Sequence, residues 1–489
     1  MKLSELLGAL GIRSADRIHE GCEDLTPTST LDKCTHESLL FVIKRLSGEY
    51  TAEAKKINKR MPYAVICDVD YPTDRLRVPY IIVDDVRTAL AYACSLHYGI
   101  DYAGMKIIGI TGTNGKTTTA TLLHGILTAC GIKAGQIGTG IIRSGEVELA
   151  DNATTMTTPD PERLYRILGD MQKDGCTHVV MEVSSHAIAL GKVAPITFDL
   201  GIFTNLSHEH MDFHKTPEDY YMTKRRLFES CRVAIFNIDD GYGERAYSEM
   251  SGKKLSVGIV NQGDIYATDI VFEGVRGSEF FYRRGSLIFK AKLRLPGSFN
   301  IYNALLAMSA AIELGMKPKD VKHALFSIKG VEGRMELIHS EPSVVIDYAH
   351  TPYAVESALR ALRATVGGGR LIAVLGSGGN RDRSKRPLMA NAASRYADIT
   401  VLTEDNSRGE MTEAIIDDMK VGLLEGREHI EIPRREDAIR HALSIANESD
   451  TVAIIGKGHE RYIIDGKGYR SFDEREIVKS FFEGISNEN

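Results

Sequence analysis

A glycine-rich segment between an apolar run and a helical pattern limits the fold of this chain more than any other feature. Residues 109–119 read GITGTNGKTTT, the run Lys106–Ile110 leads into them, and apolar residues at helical spacing follow. Glycines let backbone N–H groups approach phosphate oxygens, and the N-terminus of the following helix adds partial positive charge. The segment therefore predicts a nucleotide-phosphate loop, in which Lys116 reaches the terminal phosphates and the Thr117 hydroxyl helps to hold Mg²⁺. Because the first glycine stands one residue early for the usual spacing, a glycine-rich turn without a ligand is the alternative.

Length and composition predict a soluble protein of several domains. At about 150 residues per domain, 489 residues suggest three domains. Sixty basic residues against 66 acidic ones give a net charge of −6, which lends no support to a nucleic-acid-binding surface. The seven cysteines include no C-x-x-C pair, which favours a reducing cytoplasm over a disulfide framework. We expect neither a signal peptide nor membrane insertion, since no apolar run is long enough to span a bilayer.

The pattern of apolar runs predicts an α/β protein of three domains. Residues 1–104 carry short, partly β-branched runs between helical stretches, which indicates a small N-terminal α/β domain. Residues 105–329 alternate strands and helices around the phosphate loop, which indicates a doubly wound parallel sheet, with an antiparallel appendage near 265–295. Residues 330–489 alternate in the same way and predict a C-terminal Rossmann-like domain.

Polar residues that follow predicted strands indicate a metal or substrate site. Glu182 directly follows an apolar run, and a carboxylate at the carboxyl end of a parallel strand faces the ligand crevice, where its oxygens suit Mg²⁺. Lys224 lies on a predicted helix that points back at residues 204–214. The alternative is that Lys224 is an ordinary solvated lysine without a role in the site.

Three histidines follow another predicted strand. His208, His210 and His214 stand in the segment TNLSHEHMDFH. Zinc is one alternative, since sites with three histidine ligands exist, and a structural polar turn is another. No cysteine lies nearby and a phosphate loop calls for Mg²⁺, so we predict a substrate or Mg²⁺ site here.

Seven ordered segments resemble the Mur ligases, the ATP-dependent amide-bond enzymes of peptidoglycan precursor synthesis. Within that family the chain is most similar to the MurE branch, which adds the third residue of the stem peptide. The resemblance covers about residues 105–480. The segments are TGTNGKTTT, EVSSHA, TNLSHEHMDFH with Lys224 behind it, LPGSFNIYNALLA (295–307), GVEGRME (330–336), DYAHTP (347–352) and GSGGNRDRSKRP (376–387).

The resemblance implies an ATP and Mg²⁺ site with catalytic roles for Lys116, Lys224 and His210. Lys224 is N-carbamylated in such enzymes, where CO₂ turns the cation into a carboxylate-like anion. The implied metal ligands are Thr117, Glu182, His210 and Lys224. The implied nucleotide contacts are Gly112, Thr113, Asn114, Gly115, Lys116, Thr117 and Thr118 in the loop, Asn300 and Asn303 near the adenine, and Arg334, Asp347 and His350 from the third domain.

The resemblance also implies two further substrates. Thr157, Thr158 and Ser184 match positions that hold the dipeptide end of UDP-MurNAc-L-Ala-D-Glu, whose uridine diphosphate end belongs to the N-terminal domain. The diamino acid would lie in the third domain, between the segments that carry Arg381, Asp405, Asn406, Arg408, Gly456 and Glu460. We expect the enzyme to act as a monomer.

The segment DNSR favours meso-diaminopimelate as the amino acid. Arg408 can hold its distal carboxylate in a bidentate pair, Glu460 can take the ammonium group, and Arg381 would bind the other carboxylate. Ser407 replaces the family's usual proline, which removes a restraint on the loop. Lysine or another diamino acid is the alternative.

Amide formation explains why such residues occur together. A carboxylate needs a better leaving group than oxide, and ATP supplies one by forming an acyl phosphate that the incoming amine attacks. Carboxylate and triphosphate repel each other, so Lys116 and Mg²⁺ must neutralise charge. Domain closure would then exclude water from the acyl phosphate.

Other functions remain as alternatives. The N-terminal region departs from the family pattern at 31–33 and 38–43, so a paralogue with another acceptor is one of them. A folate polyglutamylating sibling is another, although the segments 405–408 and 456–460 argue against it. A P-loop switch protein or a histidine-based metal hydrolase would leave most of the seven segments unexplained.

Overall fold

A computed structural model gives the fold of the chain. Strands and helices alternate along it, as the sequence predicted for an α/β protein. The structure describes residues 1–12, 24–43, 50–149, 156–207, 209, 211 and 213–488.

The N-terminal part carries a parallel sheet whose two faces are both covered. In spatial order its strands are Thr26–Thr28, Ser38–Val42, Ala64–Cys67 and Tyr80–Ile82. Leu39 and Phe41 pack into one apolar cluster while Leu40 and Val42 pack into another, as an unbroken apolar run requires when side chains alternate between faces. The helices are Leu3–Ala9, Tyr50–Arg60 and Val86–Tyr98, with short 3₁₀ turns at Leu31–Lys33 and Thr73–Arg75.

The central sheet is parallel in its middle and antiparallel at both edges. The appendage predicted near 265–295 is present at one edge, where the strands from 265 to 293 pair antiparallel. The sequence analysis missed a second antiparallel edge formed by 141–148. In spatial order the strands are Leu287–Leu293, Ser278–Arg284, Ile265–Phe272, Lys253–Gly258, Cys231–Asn237, Phe198–Phe203, Lys106–Thr111, His178–Glu182, Ala134–Gly138, Ile141–Ser144 and Val147–Glu148.

Helices cover both faces of the central sheet. Ile107 points into one apolar cluster, and Ile108 and Ile110 point into the other, so the strand that leads into the phosphate loop is buried on both sides. The helices are Lys116–Ala129, Pro161–Lys173, Ser185–Ala189, Pro217–Arg225, Gly241–Glu249, Ser298–Glu313 and Pro318–Ser327, with 3₁₀ turns at Arg226–Ser230 and Gly274–Arg276.

The C-terminal sheet is the predicted second Rossmann-like layer with one antiparallel edge strand, Glu336–Ser340. In spatial order its strands are Glu336–Ser340, Ser343–Asp347, Thr451–Ile455, Leu371–Leu375, Ile399–Leu402 and Glu428–Glu431, and a separate hairpin is formed by Tyr462–Asp465 and Gly468–Ser471. The helices are Pro352–Arg363, Lys385–Tyr396, Thr412–Lys420, Arg435–Ser444 and Glu474–Glu488.

Strand order brings the chemistry-bearing segments together. Phe198–Phe203, Lys106–Thr111 and His178–Glu182 are parallel neighbours, so the segments that follow them leave the sheet at the same edge. Ligands of open α/β sheets bind at this edge. A search of the helices in the described ranges finds none long and apolar enough to cross a membrane.

A buried ion pair attaches the last helix to the C-terminal sheet. Arg435 Nε lies 2.7 Å from Glu474 Oε1, and neither side chain is exposed to solvent. The guanidinium also donates to the carbonyl oxygens of Glu404 and Ile455. Because every contact of this cation is inside the protein, removal of one partner leaves an uncompensated buried charge.

We expect Arg435→Met to lower the free energy of unfolding by about 3 kcal/mol, the typical cost of breaking a buried pair. Its neighbour Arg434 makes exposed ion pairs with Glu436 and Asp437. Arg434→Met should therefore change the free energy of unfolding by less than about 0.5 kcal/mol. Urea titration followed by circular dichroism measures both. Equal losses in the two variants would contradict the role given to the buried pair.

Candidate active site

The phosphate loop requires glycine at two positions because neighbouring segments approach it closely. Gly112 has a φ of 144° and Gly115 a φ of 85°, values that side chains rarely tolerate. A Cβ on Gly112 would collide with the Thr204 hydroxyl, and one on Gly115 with the Asn303 side chain. The loop is therefore packed between the end of the strand Phe198–Phe203 and the helix Ser298–Glu313.

The segment after Phe203 holds the loop in place. Thr113 N donates to Asn205 O at 2.8 Å, and Asn114 N donates to Asn205 Oδ1 at 3.0 Å. Thr204 Oγ1 donates to Asn114 O at 2.6 Å, and Ser207 N donates to Thr113 Oγ1 at 2.9 Å. These bonds fix the loop before any ligand binds, which is the pre-organisation that anion binding needs.

Two lysines converge on one carbonyl of the loop. Lys116 Nζ donates to Gly112 O at 3.0 Å, and Lys224 Nζ donates to the same oxygen at 2.9 Å. Lys224 is 1% exposed and its ammonium lies 4.6 Å from the centre of the Tyr220 ring. Burial, and secondly Lys116, lower the pKa of Lys224 well below its ordinary value, and Glu209 opposes them only in part. Lys224 thus contacts the phosphate loop, from a helix that was predicted to point back at residues 204–214.

Glu182 is the last residue of its strand and is almost fully buried. Its Oε1 accepts from Thr139 N at 2.9 Å, and its Oε2 accepts from Thr139 Oγ1 at 3.4 Å. A Cβ on Gly138 would collide with the carboxylate. Residues 138–139 therefore set the orientation of Glu182, and the sequence analysis did not identify them.

The three residues predicted to hold the dipeptide lie in one hydrogen-bond network with Glu182. Thr158 Oγ1 donates to Glu182 O at 2.9 Å and accepts from Ser184 N at 3.0 Å. Thr157 Oγ1 accepts from Thr139 Oγ1 at 3.0 Å. The structure thus brings Thr157, Thr158 and Ser184 together beside the carboxylate.

A cavity of about 330 Å³ lies between the phosphate loop and the C-terminal sheet. Arg334 reaches across it, with Nη2 donating to Thr117 Oγ1 at 3.3 Å and the guanidinium 4.2 Å from the centre of the Tyr348 ring. Both halves of the molecule therefore contribute to one cleft. Its lining includes eight residues predicted to contact nucleotide, namely Asn114, Gly115, Thr118, Asn300, Asn303, Arg334, Asp347 and His350.

Asp347 shapes the wall of this cavity through the backbone. Its Oδ2 accepts from Met335 N at 2.7 Å and its Oδ1 from Ala349 N at 2.8 Å. Burial raises the pKa of Asp347, and Arg334 and these N–H groups oppose the rise. The carboxylate is thus engaged in holding the segments that carry Arg334 and His350.

Asp239 is a cavity residue that the sequence analysis missed. It accepts from Tyr302 OH at 2.7 Å and from the backbone N–H groups of residues 259–261 at 2.6 to 2.8 Å. Burial raises its pKa, but the Tyr302 hydroxyl and these N–H groups more than offset that, so the pKa is lowered. Its position just after the strand Cys231–Asn237 is the signal that could have identified it.

The predicted amino-acid pocket is assembled from three loops of the C-terminal domain. Asn406 Nδ2 donates to Glu460 Oε2 at 2.9 Å, and Arg408 Nη1 donates to the carbonyl oxygens of Gly379 and Asn406 at 3.0 and 3.1 Å. A Cβ on Gly456 would lie 3.1 Å from an Asp405 carboxylate oxygen. These predicted substrate residues therefore do converge.

Arg381 is exposed on the loop that faces Arg408. A Cβ on Gly378 would lie 3.0 Å from Arg408 Nη1 and 3.8 Å from Arg381 Cγ. These two distances place both arginines at the same opening.

Glu410 ties the two pocket loops together. It accepts from Asn380 N at 2.5 Å and pairs with Arg383 and Arg386 at 2.6 and 2.9 Å. Hydrogen bonds from Arg386, Asn380 and Arg383 lower the pKa of Glu410 to about 2. The restraint that proline would give at Ser407 is supplied here by charge.

One close contact joins the central and C-terminal parts beside the site. Gly140 has a φ of 70°, and a Cβ there would collide with the imidazole of His459. The His459 ring also packs on Tyr348, with ring centres 4.9 Å apart. Burial, and secondly Arg334, lower the pKa of His459 to about 3, so the ring is neutral where the two parts meet.

Comparison with known proteins identifies the family. The chain matches the Mur ligase middle domain over residues 110–311 and the glutamate ligase domain of Mur ligases over 333–458. A diaminopimelate ligase of Aquifex aeolicus is 40% identical over 454 residues, covering 91% of each chain. The chain belongs to the Mur ligase family.

Other relatives agree with this assignment. UDP-N-acetylmuramoyl-L-alanyl-D-glutamate–2,6-diaminopimelate ligase 1 of Clostridium acetobutylicum is 36% identical to this Mur ligase, with 93% of each chain covered. A solved structure of a ligase with the same substrates in its name has a TM-score of 0.73 at 28% identity, covering 99% of this chain and 100% of that one. A MurF ligase from Thermotoga maritima, solved with ADP, shares the fold at a TM-score of 0.63 and 16% identity.

One predicted metal ligand of this Mur ligase, His210, lies outside the described residues, as does His208. Of the three histidines considered for zinc, the structure describes His214. That side chain is buried, with Nδ1 3.3 Å from Asp219 Oδ2 and its ring 4.9 Å from the Tyr220 ring. Across the described ranges, no group of three or more His, Cys, Asp or Glu side chains is arranged to hold a metal ion.

The contact between Gly140 and His459 can be tested by a collision and its relief. In Gly140→Ala the left-handed backbone costs about 1 kcal/mol, and the added methyl group strikes the imidazole. We expect this variant to separate the central and C-terminal parts and to raise the radius of gyration in small-angle X-ray scattering. Adding His459→Ala should restore the compact value, whereas a double variant as expanded as the single one would show that backbone strain alone is responsible.

Proposed function

We propose that this Mur ligase joins meso-diaminopimelate to the D-glutamate carboxylate of UDP-MurNAc-L-Ala-D-Glu, with ATP as the phosphate donor. The observation that carries the proposal is the meeting of two sites. Thr139, which orients Glu182, precedes Gly140 in the chain, and His459, against which Gly140 packs, precedes Glu460 of the predicted amino-acid pocket. Relatives named for this reaction cover more than nine-tenths of the chain.

The proposed reaction begins at the acceptor carboxylate. A carboxylate oxygen takes the terminal phosphoryl group of ATP, which releases ADP and leaves an acyl phosphate. The neutral amine of the diamino acid then attacks the acyl carbon, and the tetrahedral intermediate loses inorganic phosphate and a proton to give the amide. Lys116 supports this by placing positive charge where negative charge accumulates on the transferred group.

Mg²⁺ fits the residues at the edge of the central sheet. Glu182 and Thr117 offer a carboxylate and a hydroxyl, the hard oxygen ligands that this ion prefers. When bound, Mg²⁺ supplies charge neutralisation between triphosphate and carboxylate. His210 remains our further predicted ligand.

Lys224 is the proposed site of carbamylation. A lysine reacts with CO₂ only through its uncharged amine, and burial with Lys116 nearby favours that form of Lys224. The amine adds to the carbon of CO₂ and loses a proton, which gives a carbamate anion. A cation competing with Lys116 for Gly112 O thereby becomes an anion that can serve Mg²⁺.

We expect turnover to depend on CO₂. Removal of CO₂ from the buffers should lower phosphate release at least tenfold, since one group that stabilises transition-state charge is worth about 10²–10³ in rate, and bicarbonate should restore it. Lys224→Arg keeps a cation that cannot form a stable carbamate, so it should stay inactive in bicarbonate. Full activity without CO₂, or an active arginine variant, would contradict the carbamate.

The N-terminal sheet is proposed to hold the uridine diphosphate end of the acceptor. Ser29 N and Oγ donate to the Glu162 carboxylate at 2.8 and 3.0 Å. Glu162 belongs to the helix Pro161–Lys173, which begins three residues after Thr158. This contact supports one acceptor path from the N-terminal sheet to the dipeptide residues. Six described cysteines are free thiols, which fits the reducing cytoplasm proposed as the location.

The substrate assignment is tested by phosphate release from ATP with UDP-MurNAc-L-Ala-D-Glu and one of three amino acids. We expect release with meso-diaminopimelate, and kcat/KM for L-lysine and L-ornithine lower by about 100-fold or more, because neither offers the distal carboxylate for Arg408. Arg408→Met should remove most of that preference. Arg427→Met, at an exposed arginine outside the pocket, is the matched control and should keep it.

Two outcomes would overturn the assignment. Release with lysine alone would keep the ligase chemistry and refute the pocket. Release with none of the three, from protein that still binds ATP, would refute the acceptor.

A further inference from the structure

Lys457 is a fully buried cation inside the amino-acid pocket. Its Nζ lies 2.9 Å from Glu460 Oε2, 3.1 Å from Asn406 Oδ1 and 3.5 Å from Asp405 Oδ1. The side chain has no solvent exposure. All three partners are among the residues predicted to hold the diamino acid, and Lys457 itself is not.

The local backbone is shaped to turn Lys457 inward. Gly456 has a φ of 126° and Gly458 a φ of 54°, so both flanking residues adopt conformations that side chains rarely accept. A Cβ on Gly458 would lie 2.6 Å from Tyr348 Cβ, and the ammonium sits 5.5 Å from the centre of the Tyr462 ring. The sharp turn between two glycines leaves this lysine facing the pocket.

Lys457 sets the charge that the pocket presents. Asp405 and Glu460 bring two negative charges, and Lys457 between them leaves one. A distal ammonium group brings one positive charge, so the pocket and ligand balance. Without the lysine, the buried carboxylate of Asp405 and the partly buried carboxylate of Glu460 would face a single ammonium group, and the two like charges would repel each other.

The titration of Asp405 reflects this balance. Burial alone raises its pKa, but Lys457, and secondly Arg435, bring it down to about 2. Arg435 is occupied by its own buried pair with Glu474, which leaves Lys457 to serve both pocket carboxylates. The other charged or titratable groups that interact with Asp405, Lys457 or Glu460 include His350, His459, Tyr348, Tyr462, Lys385 and Glu474.

A purely structural role explains the arrangement poorly. Replacement of a buried ion pair by apolar residues is often neutral or stabilising, so packing does not call for a lysine here. The cation also bonds Glu460 and Asn406 at once, while Asn406 donates to the same Glu460 oxygen. The three groups are locked in one geometry that no single pair would define.

We propose that Lys457 is a positioning residue for the amino-acid substrate, which fixes Glu460 and Asn406 and leaves the pocket one net negative charge for the distal ammonium group. The inference rests on the proposed function. It names the feature that makes the pocket selective for a side chain carrying an amine.

The test compares KM and kcat for meso-diaminopimelate between pH 6 and pH 9 in the full-length enzyme. We expect Lys457→Met to raise KM for the amino acid by about 30-fold or more and to leave KM for ATP within about twofold. In this variant 1/KM should rise as the pH is lowered, because one of the two adjacent carboxylates then takes up a proton and the pocket returns to one negative charge. Wild type should show no such dependence, and the exposed Lys420→Met should behave as wild type.

A charge-restoring double variant separates positioning from folding. Asp405→Asn with Lys457→Met returns the pocket to one negative charge, so it should bind the amino acid more tightly than Lys457→Met and lose the pH dependence. This comparison, made against Asp405→Asn alone, also decides the matter if Lys457→Met does not fold. A double variant no better than Lys457→Met, or a Lys457→Met enzyme with unchanged KM, would overturn the inference while wild-type turnover keeps the proposed function. No turnover by wild type would instead overturn the function.

Discussion

Two lysine side chains meeting at one carbonyl oxygen define the active site of this Mur ligase. Lys116 and Lys224 both donate to Gly112 O, and two ammonium groups that share one acceptor repel each other. The protein must lose one of these charges or provide an anion for them. In the proposed reaction, a bound triphosphate would pair with the positive charge of Lys116, and loss of a proton would remove the positive charge of Lys224. The contacts that fix the phosphate loop, from Thr204 to Asn303, keep the two lysines close together until substrate binds.

The amino-acid pocket carries the opposite net charge to the phosphate loop. There a buried lysine stands among carboxylates and leaves net negative charge, whereas the phosphate loop holds buried positive charge. The Gly140–His459 contact lies between them, with a neutral ring at the boundary. In the proposed reaction, the pocket would therefore attract the distal ammonium group of a diamino acid, and the positive charge at the phosphate loop would disfavour a second ammonium group there. That difference favours entry of the reacting amine in its neutral form, which is the form that can attack an acyl carbon.

The sequence predicted those parts whose residues are contiguous along the chain. The strand–loop–helix at 106–129, the edge hairpins near 265–293 and the converging polar ends of strands all follow from apolar periodicity and glycine spacing. Thr139 and Asp239 were missed because their partners are distant in sequence, and so are two of the three partners of Lys457, Asp405 and Asn406. Thr139 lies in a hairpin of the second antiparallel edge, which has no polar pattern of its own. Lys457 was overlooked because a lysine in a loop is ordinarily solvated, and only the tertiary fold buries it.

Ser407 shows how the same mechanical need can be met by another interaction. A proline would stiffen the pocket loop by fixing φ, but here the adjacent Arg408 adopts a φ of 52° and the Glu410 carboxylate holds both loops. Because the folded pKa of Glu410 is lowered, to about 2, this stabilisation is complete above the ordinary pKa of a glutamate and disappears as the pH falls towards 2. The restraint is thus electrostatic and is weakened by salt where it is exposed. It depends on Arg383 in the facing loop and on Arg386 in the helix Lys385–Tyr396 that follows this loop. The two loops of the proposed amino-acid pocket are consequently one unit, and a change in either would reach Arg408, the proposed partner of the distal carboxylate.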